Sequence, residues 1–136
     1  MNQFIIVTHG KLAEGFYNSV LFFNKAIDNL HFINAYLEES TFEQSFVRLV
    51  EKLSSSHLIV FTDLPGGSVN QIICHYIDKY HLRIVSGVNL PLLLELVMKE
   101  TIITDEQLRV AIAESQKQLV FMNDAFTAMK GEDELD

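Results

Sequence analysis

A chain of 136 residues, 49% hydrophobic and 21% charged, is long enough to bury one core and too apolar for extended disorder. Its net charge of −8 argues against nucleic acid, whose recognition starts from a basic patch, and suits a basic protein partner. No apolar run reaches the roughly 18 residues of a membrane span, Met1-Asn2-Gln3 carries no signal-peptide pattern, and the single Cys74 cannot form an internal disulfide, so a cytoplasmic protein is expected.

Along the chain, strand patterns alternate with helical ones. Strands are predicted over residues 3–8, 31–36, 57–62 and 82–86. The first, third and fourth are rich in Ile, Val, Leu and Phe, as parallel strands covered on both faces should be. After the first, Leu12, Phe16, Val20, Phe23 and Ile27 recur at helical spacing. After the second come Phe42, Phe46, Leu49 and Leu53, with Thr41 and Gln44 spaced as a capping box. Ser68 with Gln71 and Thr104 with Gln107 repeat that spacing, and Asn89-Leu90-Pro91 opens a further helix with proline in its first turn.

This alternation predicts an α/β three-layer sandwich with right-handed crossovers and a mostly parallel sheet. The common order 2-1-3-4 makes the first and third strands neighbours. The last segment has two readings. Leu108, Ile112, Leu119, Met122, Phe126 and Met129 roughly keep helical spacing, with Ser115 interrupting the stripe, whereas Gln118-Leu119-Val120-Phe121-Met122 also fits a short edge strand. One domain is expected over 1–130, followed by an acidic tail at 131–136.

Two polar residues stand where ligands meet such sheets, beyond the carboxyl ends of the strands. His9 follows Phe4-Ile5-Ile6-Val7-Thr8, and Asp63 follows Leu58-Ile59-Val60-Phe61-Thr62. An imidazole nitrogen can accept a phosphoryl group, and a carboxylate on the other ring nitrogen fixes the tautomer and stabilises positive charge. Leu64-Pro65-Gly66-Gly67-Ser68 then forms a turn whose glycines admit a phosphate closely and whose Ser68 opens a helix. Each piece alone is an ordinary strand-end feature; their coincidence marks a candidate site. No zinc spacing, no Walker motif and no cofactor motif occurs, so neither metal nor cofactor is expected.

With these residues in place, the chain resembles the IIA component of the mannose family of the bacterial sugar phosphotransferase system (PTS). Three blocks carry the resemblance: His9-Gly10-Lys11-Leu12-Ala13-Glu14-Gly15 with Ser19, Asp63 through Asn70, and Gly87-Val88-Asn89-Leu90-Pro91-Leu92-Leu93-Leu94-Glu95. The resemblance implies that His9 takes a phosphoryl group from the phosphocarrier HPr and passes it to a IIB partner. Through IIB the chain would be linked indirectly to the membrane IIC and IID components. It implies that Asp63 orients His9, that Gly66, Gly67 and Ser68 bind the phosphoryl group, and that Thr8, Leu64, Pro65, Val88 and Asn89 wall the site. It also implies a homodimer that exchanges an antiparallel C-terminal edge strand, which favours the strand reading of 118–122. Two positions depart from the family pattern: Val69 stands where proline is usual, and Pro65 where a large residue is common.

Rival assignments differ in what they require. A histidine phosphatase needs an arginine just before His-Gly, where this chain has Thr8. A receiver domain needs an acidic pair after the first strand. The phosphoryl-donating subunit of dihydroxyacetone kinase, or a regulatory paralogue, shares the superfamily but fits the Gly66-Gly67-Ser68 turn less well. The sugar itself is not encoded in a component that never touches it.

Overall fold

The computed structural model describes residues 1–37 and 41–135. Four parallel strands, β1 (Asn2–His9), β2 (Leu30–Ala35), β3 (His57–Thr62) and β4 (Arg83–Ser86), form a sheet in the order β2-β1-β3-β4. The expected α/β architecture and strand order are thus present. Helices α1 (Leu12–Phe23), α2 (Phe42–Lys52), α3 (Ser68–Cys74), α4 (Ile77–Tyr80), α5 (Leu90–Val97), α6 (Asp105–Gln116) and α7 (Met122–Leu135) complete the described chain. None of the described helices is long and apolar enough to cross a membrane.

Because side chains alternate across a strand, the central strands feed two cores. Phe4, Ile6, Ile59 and Phe61 point to one face and pack with Ala13 and Val20 of α1, Leu92, Leu93 and Leu96 of α5, and Leu108 and Ala111 of α6. Ile5, Val7, Leu58 and Val60 point to the other, against Phe42, Phe46 and Val50 of α2 and Val69 and Ile73 of α3. Every one of these strand residues is essentially buried, which is why both runs read as continuous apolar stretches rather than alternating ones.

Several local expectations change. The buried stripe of α1 runs through Ala13 and Val20, with Phe16 and Tyr17 beside it, whereas Leu12 and Phe23 are exposed. The periodicity was right but its phase was one residue off at the helix start, where Thr8 Oγ1 accepts the Ala13 N–H at 2.6 Å. The capping box of α6 forms in both directions between Thr104 and Gln107, and Asn89 caps α5 by accepting the Leu92 N–H. Neither Thr41 nor Ser68 caps as predicted. Thr41 makes no capping hydrogen bond, and the N-cap of α3 is Gly67, so Ser68 is already helical.

The C-terminal segment divides into two helices instead of one. Ser115 is buried, its hydroxyl donating to the Ile112 carbonyl and its own carbonyl accepting from Asn89 Nδ2. Residues 118–121 join no ladder of the four-stranded sheet, and Met122 begins α7. The antiparallel edge strand expected at 118–122 is therefore absent from the single chain, since a strand needs a neighbour to exist. The acidic tail expected from 131 ends at Asp136, which lies outside the described residues.

Asn2, buried at the start of β1, clamps the sheet to the segment before α6. Its Nδ2 donates to the Thr101 carbonyl at 2.8 Å and its Oδ1 accepts the Ile103 N–H at 3.2 Å. Asn2→Ala leaves these buried backbone groups unpaired and should cost about 1–3 kcal/mol. Urea unfolding should show a lower midpoint at an unchanged slope.

Candidate functional site

The site is built where the direction of chain crossing changes, between β1 and β3. Their ladder runs in register from Asn2↔His57 to Val7↔Thr62, so the residues that follow emerge side by side. The His9 N–H donates to Asp63 Oδ2 at 3.0 Å, prolonging the ladder through a side chain. The same oxygen lies 2.9 Å from His9 Nδ1, and Asp63 Oδ1 accepts the Leu64 N–H at 3.1 Å. A carboxylate only accepts, so Nδ1 carries a proton, and the lone pair of the neutral tautomer with this contact lies at Nε2. The carboxylate is 11% exposed and the imidazole 39%, so the pair is anchored below and open above.

Electrostatics follow from these contacts. Burial by itself raises the Asp63 carboxyl, but hydrogen bonds from the His9 N–H, the His9 ring and its own loop outweigh it and hold the group below the usual 3.8. Asp63 is thereby kept as a carboxylate beside the ring.

Two glycines shape the surroundings. Gly10 leaves the sheet at φ +60, a left-handed turn that suits glycine, with its N–H on the Ala35 carbonyl. Gly67 sits against the imidazole: a Cβ there would lie 3.3 Å from His9 Cε1 and 3.2 Å from Leu64 Cβ. The Gly67 N–H is spent on the Leu64 carbonyl at 3.0 Å, so this glycine contributes space rather than a donor. Gly66 has open space where its Cβ would be. The first N–H groups of a helix have no partner within it, and in α3 they begin at Ser68.

Asn70 holds the turn in shape. Its Oδ1 accepts the Thr62 hydroxyl at 2.9 Å and its Nδ2 donates to the Pro65 carbonyl at 2.9 Å, bridging the end of β3 to the loop. The Thr62 hydroxyl in turn lies 2.7 Å from Ser86 Oγ. On the far side of β1, Asn34 and Glu14 exchange two hydrogen bonds that tie β2 to the start of α1.

The residues expected as walls divide in two. Leu64 and Pro65 are exposed in the turn. Thr8 is fully buried with its hydroxyl committed to α1, and the Asn89 side chain is committed to α5 and Ser115. Val88 packs partly into the core, its N–H on the Thr62 carbonyl. These three support the site from below.

One residue at the site was not singled out from the sequence. Tyr36 directly follows Ala35, the ladder partner of His9. Its ring centroid lies 5.4 Å from that of His9, and its hydroxyl is 2.8 Å from Ser68 Oγ. The strand was expected to include Tyr36 but ends at Ala35, where the backbone turns. The available signal was the register of two strands, not any local motif. Among the described residues no cluster of His, Cys, Asp and Glu could hold a metal ion.

Comparison with known proteins bears on the family and the fold. Residues 3–114 match the family model described as PTS system fructose IIA component. No curated protein matches. Among solved structures, a Klebsiella pneumoniae protein assigned to a phosphoenolpyruvate-dependent sugar PTS permease is similar at 27% identity and TM-score 0.79, over 92% of this chain and 93% of that one. The PTS IIA protein associated with the fucose utilization operon of Streptococcus pneumoniae is similar at 25% identity and TM-score 0.78, over 92% and 96%. The mannose/sorbose-specific IIA subunit from Enterococcus faecalis, 20% identical over 88% and 92%, shares the fold at TM-score 0.75.

The depressed Asp63 carboxyl carries a stability signature. Its contribution is fully present above 3.8, where the group is ionised folded and unfolded alike, and is lost as pH falls through the lower folded value. Urea unfolding between pH 5 and pH 2 should show wild type losing its advantage over Asp63→Asn as the solution becomes more acidic.

Proposed function

The chain belongs to the family of PTS system fructose IIA components, and from that membership we propose that it relays a phosphoryl group from HPr to a IIB partner through His9. The carrying observation is the 2.9 Å contact of His9 Nδ1 with Asp63 Oδ2, which leaves Nε2 as the nucleophile. In the forward step the Nε2 lone pair forms the new N–P bond while the bond from phosphorus to the donor histidine of HPr breaks. The bonding electron pair returns to that donor nitrogen. Positive charge develops on the His9 ring, and the adjacent carboxylate offsets it without taking the proton. The second step is the same displacement with the IIB nucleophile attacking phosphorus.

The donors for the three phosphoryl oxygens are the Ser68 hydroxyl, the Gly66 N–H and the free N–H groups of the first turn of α3. Gly67 admits the group by having no side chain. Leu64 and Pro65 present an exposed rim, while Thr8, Val88 and Asn89 hold the backbone from beneath. The chain thus works as a cytoplasmic phosphotransferase domain over 1–130, requires neither metal nor cofactor, and reaches IIC and IID only through IIB.

The arginine-lined site of a histidine phosphatase is not supported. Arg83 pairs with Asp105 and lies across the sheet from Phe4, through Ile59, five residues back from His9. At about 3.3 Å per residue that is roughly 16 Å away along the strands. Arg109 contacts Glu106 on the surface of α6.

A second copy of the chain completes the assembly. Leu119 is 94% exposed and Phe121 67%, with Val120 and Met122 beside them. Contiguous apolar residues left in water in this way mark an interface, and β4 offers an unpaired edge. Exchange of residues 118–122 onto that edge would satisfy both.

Incubated with phosphoenolpyruvate, enzyme I and HPr, the protein should gain one phosphoryl group, acid-labile and base-stable, and His9→Ala should gain none. Label persisting in His9→Ala would sink the assignment. Asp63→Asn should fold and transfer about 10- to 100-fold more slowly, the loss of one charge-assisted hydrogen bond. Sedimentation should give a dimer for wild type and a smaller species for Phe121→Asp.

A further inference from the structure

The loop after β2 brings to the site a residue that the carrier chemistry above leaves without a task. Tyr36 has φ +65, the left-handed region that a bulky L-residue occupies only at a cost in energy. This conformation turns its ring over the imidazole, 5.4 Å between centroids at an interplanar angle of 38°, and brings its hydroxyl to 2.8 Å from Ser68 Oγ. Phe42, buried at the start of α2, meets the same ring edge-on at 5.2 Å and 79°. Tyr36 is thus held by three partners although it is 54% exposed.

The hydroxyl pair has a direction that matters. Ser68 owns one proton and its hydroxyl rotates freely unless fixed. When the serine oxygen accepts the Tyr36 O–H, its own proton is released to donate elsewhere, and a phosphoryl oxygen on His9 Nε2 is the acceptor the carrier chemistry supplies. Linked hydrogen bonds polarise one another, so the tyrosine also makes the serine a stronger donor. The aromatic ring meanwhile restrains the plane of His9, whose Nδ1 alone is tied to Asp63. We infer that Tyr36 is a positioning residue for phosphoryl transfer, setting Ser68 as a donor through its hydroxyl and holding the His9 ring through its own.

This inference rests on the phosphocarrier reading, and one set of measurements separates the two. Tyr36→Phe keeps the ring, the Phe42 contact and the backbone, and removes only the hydroxyl. Phosphoryl transfer from phospho-HPr is measured for wild type, Tyr36→Phe, Ser68→Ala and the double variant. Tyr36→Phe should lower kcat about 5- to 10-fold at unchanged KM, the effect of one hydrogen bond made in the transition state. In the Ser68→Ala background it should have no further effect. Equal kcat for wild type and Tyr36→Phe, independent losses in the double variant, or a change confined to KM would overturn the role of Tyr36 and leave His9 as the carrier. Failure of the wild type to take up a phosphoryl group would overturn the carrier reading and this inference together.

Discussion

The parallel ladder from Asn2↔His57 to Val7↔Thr62 is the constraint on which the site depends, because it delivers two sequence-distant residues to the same edge of the sheet in matched register. A slip of one residue would reverse which side chains face which core. The two cores oppose such a slip, since Phe4 and Ile6 bury on one face and Ile5 and Val7 on the other. Hydrophobic burial, which is non-directional, thus becomes positional accuracy at the strand ends. Asp63 then closes the arrangement by binding both the backbone and the ring of His9 through a single oxygen.

Around that pair the supports are polar and specific. Thr62, Asn70, Ser86 and the Pro65 carbonyl form one chain of hydrogen bonds beneath the turn, while Thr8 ties β1 to α1 and Asn34 with Glu14 ties β2 to it. Apart from the exposed Pro65 carbonyl, these groups lie partly or wholly out of water, where an unmade hydrogen bond costs more than a made one gains. The His9 ring is the exception, with 39% of its side chain left exposed. The relay proposed above asks for access and orientation at His9 rather than an enclosed cavity.

The legible part of the fold was the part written in local patterns. Buried strands announce themselves as apolar runs of fixed length, and caps such as Thr104 with Gln107 and Asn89 before Leu92 are set by residues three apart. Patterns misled where tertiary contacts chose among equivalents. The stripe of α1 keeps Phe16, Val20 and Ile27 but takes Ala13 in place of Leu12 at its start, where Thr8, buried in β1, accepts the Ala13 N–H. Ser68 lies one residue inside α3, whose N-cap is Gly67, and its hydroxyl meets that of Tyr36. Residues 118–122 fit a helix or an edge strand by spacing, and within the described chain 118–121 join no ladder while Met122 opens α7.

For the candidate site, sequence alone determined the chemical inventory: a histidine and a carboxylate each at the end of an apolar run, a glycine turn after the carboxylate, and no motif for metal or nucleotide. Those are properties of order along the chain, and local spacing is enough to reveal them. Only the tertiary structure decided the distance between His9 and Asp63, the choice of Nδ1 as the anchored nitrogen, the use of Gly67 as space against the ring, and the arrival of Tyr36. Each of these depends on which strands become neighbours and in what register, and that choice is made by burying two whole faces of a sheet at once.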